Sequence, residues 1–384
     1  MYLLNLLRSW RRLFANPADH LLRLEISRAA FEHNIRQFRR LFPKHRLAAV
    51  LKSNAYGHGL IEIGRLCDAL QNISLLVVDS IIEARLLRDS GVKKPLLILG
   101  HVPFAITASL KRLRATALTV NSLAQARFLA RTIRFPLTIH IKTDTGMHRQ
   151  GVLVHELEET LNVLKTNPAL SIGGLLSHLA DADNPTNPEP THRQLSLWDN
   201  AVVTFLRHVP EGELHYSATA GTEYIQKRKS TLIRAGIGLY GFDTSVRKHL
   251  AVKPVLSLWA KIVNVKTISR EDRIGYNFTF TAPQQMTIAV IPCGYYEALP
   301  RALSNRGHVY GGDIPLKIVG TVSMNLTTVD VSPLPRPPVL EDEVEVLSNN
   351  PQRLNSVENV ARLANTIPYE ILVHITPAIK RVVV

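Results

Sequence analysis

The stretch that decides the fold is Arg46-Leu47-Ala48-Ala49-Val50-Leu51-Lys52-Ser53-Asn54-Ala55-Tyr56-Gly57-His58-Gly59, a short apolar run closed by a lysine and followed by a polar, glycine-punctuated loop. Such a run reads as a strand entering a loop. Seven more of the same kind follow: Ile73–Asp79, Pro95–Gly100, Ala117–Val120, Pro136–Thr143, Gly173–His178, Glu213–Tyr216 and Leu232–Leu239. Between them lie stretches such as Leu60–Leu70 and Ser80–Ser90, with apolar positions three or four apart, and Ser90-Gly91 supplies a helix stop. Strands alternating with helices imply a parallel sheet covered by helices. An open doubly wound sheet shows the same alternation, but eight units in roughly 200 residues favour a closed (β/α)8 barrel of the TIM type.

Beyond Gly241 the pattern changes. Val255–Val265, Thr287–Pro292, Leu316–Val322 and Val339–Leu347 follow one another with turns and almost no helix, and the Pro333–Pro338 segment reads as a turn among them. The chain therefore divides into an extension over residues 1–20, a barrel over 21–244 and a mostly β C-terminal domain over 245–384. In the extension Leu3, Leu6, Leu7, Trp10, Leu13 and Phe14 recur at helical spacing opposite Arg8, Arg11 and Arg12. The spacing predicts a basic amphipathic helix packed on its own protein or a dimer mate, in preference to one lying on a membrane surface. Its charges come after its leucines, which argues against a secretory signal.

With 384 residues, 46% apolar and 20% charged, the composition is that of a multi-domain globular chain and excludes disorder and collagen-like repeats. Cys67 and Cys293 show no metal-ligand spacing and fit a reducing, cytoplasmic setting. The formal charge is +15, and residues 1–52 hold 11 Lys/Arg against 3 Asp/Glu. Without a continuous basic block or interleaved aromatics, nucleic-acid binding is not expected.

In a barrel the chemistry gathers where strands end. Lys52 closes the first strand. An amine held at an apolar strand end loses solvation, which favours its neutral, nucleophilic form, although such a lysine also serves as a solvated strand cap. The fifth strand leads into Lys142-Thr143-Asp144-Thr145-Gly146-Met147-His148-Arg149, and the sixth ends at His178. His178, Asp181, Asp183 and His192 imitate a metal cluster, but their spacing matches no standard site and no metal is expected. The eighth run contains Arg234-Ala235-Gly236-Ile237-Gly238-Leu239-Tyr240-Gly241, which matches G-x-G-x-x-G. A dinucleotide fold also wants an acidic residue about twenty positions later, and Leu256–Lys261 has none. The amides of Gly236 and Ile237, after the last barrel strand, instead suit a single phosphate monoester. A phosphate at the last strands and a lysine at the first point to pyridoxal 5′-phosphate held as a Schiff base.

At this point the chain resembles alanine racemase, a barrel-type pyridoxal-phosphate enzyme, from about residue 21 to 384. The resemblance rests on the Leu51–Gly59, Lys142–Arg149, His178 and Arg234–Gly241 segments. It continues through Ile274-Gly275-Tyr276, Gly294-Tyr295, Val322-Ser323-Met324 and Thr366-Ile367-Pro368-Tyr369-Glu370. It implies Lys52 as the cofactor-bearing lysine and the base on one face of the substrate, and Tyr276 as the base on the other, reaching the partner's site in an obligatory homodimer. His178 and the Arg234 cation would help that phenol to ionise. Arg234 would face the pyridine nitrogen, and His178 the ring. Tyr56, Thr219, the Gly236 and Ile237 amides and Tyr369 would hold the phosphate. Arg149 would lie near the cofactor phenolate and the substrate carboxylate, with the Met324 amide completing the carboxylate site, Tyr295 at the substrate side and Lys142, often carbamylated in the family, bracing Arg149.

The same resemblance implies interconversion of L- and D-alanine, supplying D-alanine for the bacterial cell wall. It also carries departures. The pattern His-x-Ala-Asn-Ser-Ala reads His215-Tyr216-Ser217-Ala218-Thr219-Ala220, Met-Asp reads Met324-Asn325, Gly-Tyr-Ala-Asp-Gly reads Gly294-Tyr295-Tyr296-Glu297-Ala298, and Thr321 stands where an arginine is usual. These positions leave open another small substrate such as serine, and a non-catalytic pyridoxal-phosphate carrier is the rival from another class.

Overall fold

A computed structural model describes residues 20–384, so the predicted helix over the first residues lies outside the described residues. The chain forms two compact units, one of residues 30–55 and 63–253 and one containing residues 20–29, 56–62 and 254–384.

The first strand, β1 (Leu22–Ile26), belongs to the second unit. The barrel unit is built from β2 (Arg46–Val50), β3 (Leu75–Val78), β4 (Leu96–Ile98), β5 (Thr116–Val120), β6 (Leu137–Asp144), β8 (Leu170–Leu176), β9 (Glu213–His215) and β10 (Leu232–Ala235), with a two-residue β7 (Val152–Leu153) beside the end of β6. These are the eight runs read from the sequence; most have trimmed ends, while β5 and β8 begin earlier than read and β6 ends one residue later. All pair in parallel, in the order β10-β2-β3-β4-β5-β6-β8-β9. The seam is drawn together where Thr231 N–H donates to Leu214 O (2.8 Å) and Arg234 N–H to Ser217 O (3.0 Å). The result is a nearly closed barrel. Strands β3, β4, β5 and β10 are buried at every residue, as parallel strands covered on both faces must be.

Helices cover the outside. Ser80 caps the helix Ile81–Asp89 in a reciprocal box with Glu83, and Ser122 caps Leu123–Thr132 by accepting from Gln125 N–H. The predicted eighth strand stops early: after Ala235 the backbone turns at Gly236 (φ −109°, ψ −103°) into a 3-10 turn over Ile237–Tyr240.

In the second unit β1 lies between β11 (Leu256–Lys261), antiparallel, and β20 (Lys380–Val383), parallel. With β16 (His308–Gly311), β17 (Ile314–Lys317) and β19 (Glu343–Leu347) they form a six-stranded sheet in the order β17-β16-β19-β11-β1-β20. A three-stranded sheet joins β12 (Asn264–Ile268), β15 (Met286–Ile291) and β18 (Thr327–Asp330), and β13 (Arg273–Ile274) pairs with β14 (Phe280–Thr281).

The boundaries at residues 21 and 245 therefore shift. Residues 22–26 leave the barrel because their hydrogen-bond partners are in β11 and β20. Residues 245–253 stay with it: Lys253 N–H donates to the buried Asn34 side chain (2.7 Å), whose own amide donates to Lys253 O and Leu239 O. The expectation of almost no helix after Gly241 is also corrected, since Val357–Leu363 and Pro368–Val373 are helices too short to show a period in sequence.

Candidate active site

Lys52 follows β2, half-buried. After it the chain takes a left-handed turn, with φ between 52° and 56° at Ser53, Asn54, Ala55 and Tyr56. Four consecutive non-glycine residues in this region carry steric strain and persist only where the surroundings hold them. Ala55 N–H donates back to Leu51 O (2.8 Å), and Ser53 N–H to the Glu83 carboxylate (2.7 Å).

At the end of β6, Asp144 Oδ1 accepts the amides of Gly146, Met147 and His148 at 2.9, 3.0 and 3.1 Å, which shapes the loop that leads to Arg149. Thr145 and Ser177 hydroxyls meet at 2.8 Å, tying that loop to the end of β8. Gln194, on the helix Glu189–His208, accepts from Ala180 N–H (2.8 Å) and donates to His178 O (3.2 Å), holding the segment that carries His178.

Arg234 is buried on β10. Its guanidinium donates to Ser177 O (2.6 Å), Tyr216 O (3.4 Å), His215 O and His215 Nδ1 (2.9 Å). His215 Nε2 lies 2.9 Å from His140 Nδ1. Burial and then Arg234 push both imidazoles down, His140 to about 4 and His215 well below its ordinary value, so both are neutral. A neutral His215 that accepts from Arg234 at Nδ1 carries its proton on Nε2 and donates to His140, a tautomer assigned from the network. Burial lowers Arg234 only to about 10, so it stays a cation at neutral pH.

The charges felt at His178 and Lys142 show which groups converge. His178 is pushed down to about 3 by burial and then by Arg234, Arg149, Lys142 and Lys52. Lys142 falls to about 8 by burial, then Arg149 and Arg234, with Asp144 opposing and Lys52 adding to the fall. Lys52, Lys142, Arg149, His178 and Arg234 thus share one electrostatic neighbourhood at the barrel mouth, which favours an anion.

The turn after β10 is shaped for close approach. Thr219 Oγ1 accepts from Gly238 N–H (3.1 Å), and a Cβ on Gly238 would stand 2.8 Å from both the Phe38 ring and the Thr219 methyl. A lysine, an excess of positive charge and a glycine-lined turn after the last strand fit pyridoxal 5′-phosphate.

The remaining predicted residues are in the β-rich unit. Tyr56 and Tyr369 have ring centroids 6.0 Å apart, and burial, then the neighbouring Tyr369, pushes the Tyr56 phenol up. Tyr276 lies between β13 and β14. It sits in a loop turn with positive φ at Gly275, Asn277 and Phe278, and it is 69% exposed. Thr321 Oγ1 donates to Tyr276 O (3.0 Å) and meets Thr279 Oγ1 at 3.1 Å. Tyr295 N–H donates to Ser323 O (3.1 Å) and Tyr296 N–H to Met324 O (3.0 Å), so Tyr276, Tyr295 and Met324 lie on neighbouring loops.

The sequence reading did not single out His140, His215 and Gln194. His140 and Lys142 share a face of β6 by strand alternation, a signal that was available. Among the described residues no group of three or more His, Cys, Asp or Glu is arranged to hold a metal, and no helix is long and apolar enough to cross a membrane.

Fold and site define a class: a (β/α)8-barrel protein with a β-rich second domain and a cationic, glycine-lined mouth. Two family profiles match, "Alanine racemase, N-terminal domain" over residues 26–244 and "Alanine racemase, C-terminal domain" over 255–383. The chain is 35% identical over 353 residues to an alanine racemase of Syntrophobacter fumaroxidans, covering 91% of this chain and 93% of that one. The alanine racemase of Bacillus anthracis, solved with bound L-Ala-P, superposes with a TM-score of 0.85 at 26% identity, covering 95% of each chain. That of Bartonella henselae, solved with covalently bound pyridoxal phosphate, gives 0.81 at 26% identity, covering 95% of this chain and all of the other. The chain belongs to the alanine racemase family.

Proposed function

We propose that this protein is a pyridoxal-phosphate-dependent alanine racemase that interconverts L- and D-alanine. The observation that carries the reading is the electrostatic influence that Lys52, Arg149 and Arg234 exert on Lys142 and His178, together with the Thr219–Gly238 bond in the turn that follows the strand of Arg234. When bound, the cofactor supplies the electron sink that so weak a carbon acid requires, since one base contributes only ~10²–10⁴. Lys52 holds the cofactor and moves the proton on one face; Tyr276 moves it on the other. Thr219, the Gly236 and Ile237 amides, Tyr56 and Tyr369 grip the phosphate. Arg234, fixed by buried acceptors and cationic at neutral pH, would be the group opposite the cofactor's ring nitrogen, where it would discourage protonation and limit side reactions. Neutral His178 would help to position the cofactor ring. Arg149 and the Met324 amide orient the substrate carboxylate beside Tyr295, and the readily deprotonated Lys142 amine is suited to carbamylation and to bracing Arg149.

The reading includes a homodimer in which Tyr276 serves the partner's site. It is supported by the exposure of Tyr276, Phe278, Tyr295, Tyr296, Met324 and Leu326, large apolar side chains, several of them on bonded loops, that a second chain would cover. Cytoplasmic supply of D-alanine for peptidoglycan completes it. The test is the purified protein with added cofactor. An absorbance band near ~420 nm from the lysine-bound cofactor and D-alanine from L-alanine by chiral analysis support the reading. A band without turnover identifies a carrier, and preferential turnover of L-serine identifies a racemase of another substrate.

A further inference from the structure

Three of the departures from the family pattern fall on loops of the β-rich unit, and two of them touch. The loop over residues 293–298 and the loop over 323–327 are joined rung by rung. Thr327 Oγ1 donates to Cys293 O (2.6 Å), Tyr295 N–H to Ser323 O (3.1 Å) and Tyr296 N–H to Met324 O (3.0 Å). The last rung is between side chains: Asn325 Nδ2 donates to Glu297 Oε1 (2.7 Å). The other carboxylate oxygen, Oε2, accepts Gly294 N–H (2.8 Å), and Glu297 O accepts Thr376 N–H (3.0 Å). The loops cross at Gly294, where a Cβ would stand 2.2 Å from Ser323 O and 2.4 Å from Met324 O.

Glu297 is buried, with 8% of its surface exposed, and both of its side-chain oxygens are engaged. That makes position 325 depend on position 297. An aspartate at 325 would replace the amide donor to Glu297 Oε1 with a second acidic oxygen. Asn325 directly follows Met324, whose carbonyl is a rung of the same ladder, so a shift at 325 moves the Met324 peptide.

We infer that Glu297 and Asn325 form one polar unit that sets the position of the Met324 amide and, through it, the grip on the substrate carboxylate. Both are positioning residues. The inference rests on the reading above for the role of the Met324 amide. The hydrogen-bond polarity of the pair can be inverted without loss: with Glu297→Gln and Asn325→Asp together, the Gln oxygen still accepts Gly294 N–H while its amide donates to the aspartate. Glu297→Gln alone is mild, because the Asn325 amide can turn its oxygen toward the new donor.

The experiment is a double-mutant cycle of Glu297→Gln and Asn325→Asp, reading KM and kcat for L-alanine, the cofactor band and the melting temperature. Asn325→Asp is expected to raise KM about tenfold with kcat changed less than about threefold, because the amide holds the carboxylate in ground and transition states alike. The band stays in all four proteins, and the double variant returns to within about threefold of the parent KM, the coupling expected of residues in contact. An unchanged KM in Asn325→Asp, a double variant as poor as that single, or loss of the band in Asn325→Asp would overturn the inference. Should Asn325→Asp give no folded protein, the double variant decides: folded protein with the parent KM supports the pair, and failure to fold overturns it. A parent enzyme that racemises nothing removes the reading of the reaction; the pair is then judged by melting temperature, which must fall in Asn325→Asp and recover in the double variant.

Discussion

The two units present their functional residues in opposite ways. In the barrel, Arg234 is buried, bonded to three carbonyls and to His215, which is bonded in turn to His140. In the β-rich unit, Tyr276, Met324 and Tyr295 stand on loops and expose about half or more of their surface. Groups that must hold one large ligand in one orientation gain from being fixed by neighbours before it arrives. Groups that must admit and release a small substrate, or face a second chain, gain from remaining at the surface. The barrel is built as a seat, and the loop residues of the β-rich unit are left accessible.

The sharpest way to break this division is at Lys52. Lys52→Ala is expected to abolish the ~420 nm band and lower turnover by at least ~10⁴-fold, removing cofactor attachment and one base together; a variant that keeps the band removes the seat from the barrel. Tyr276→Phe should come next, with kcat down by ~10²–10³ and the band intact. If the band weakens instead, the two units are not divided as described. Arg234→Ala should cost about 3 kcal/mol in chemical denaturation, because it strips donors from buried acceptors.

The smallest effect is that of acid. His140 and His178 titrate in the folded protein at about 4 and about 3, below the ordinary 6.5, so between those values the unfolded chain binds more protons. Stability should be flat above pH ~6.5 and fall as the pH drops from there toward 4. Replacing His140 with a non-titrating residue should flatten part of that slope in a pH series of denaturation midpoints.

Much of this was readable in the chain. The eight barrel strands are legible because parallel strands covered on both faces become short apolar runs, and Lys52 stands out as the one charge closing the first of them. The partner of Leu22–Ile26 is not legible: its register with Leu256–Ala260 and Lys380–Val383 is set by residues far along the chain, and nothing local distinguishes it from a barrel strand. Nor is the left-handed turn at Ser53–Tyr56, since Ser, Ala and Tyr do not signal such a backbone. At the site, the motifs located the residues, but the coupling of Glu297 with Asn325 appears only when two loops meet.

Ile26 is paired with Val383. As the chain leaves the ribosome, β1 emerges well before either of its partners and must wait, its edges open, first for Leu256–Ala260 and then for Lys380–Val383. The barrel strands find each other much sooner. Until both partners of β1 are made, the nascent chain carries an orphaned β edge, the kind of surface that chaperones cover and aggregates exploit. A truncation that removes residues 380–383 would make that transient condition permanent.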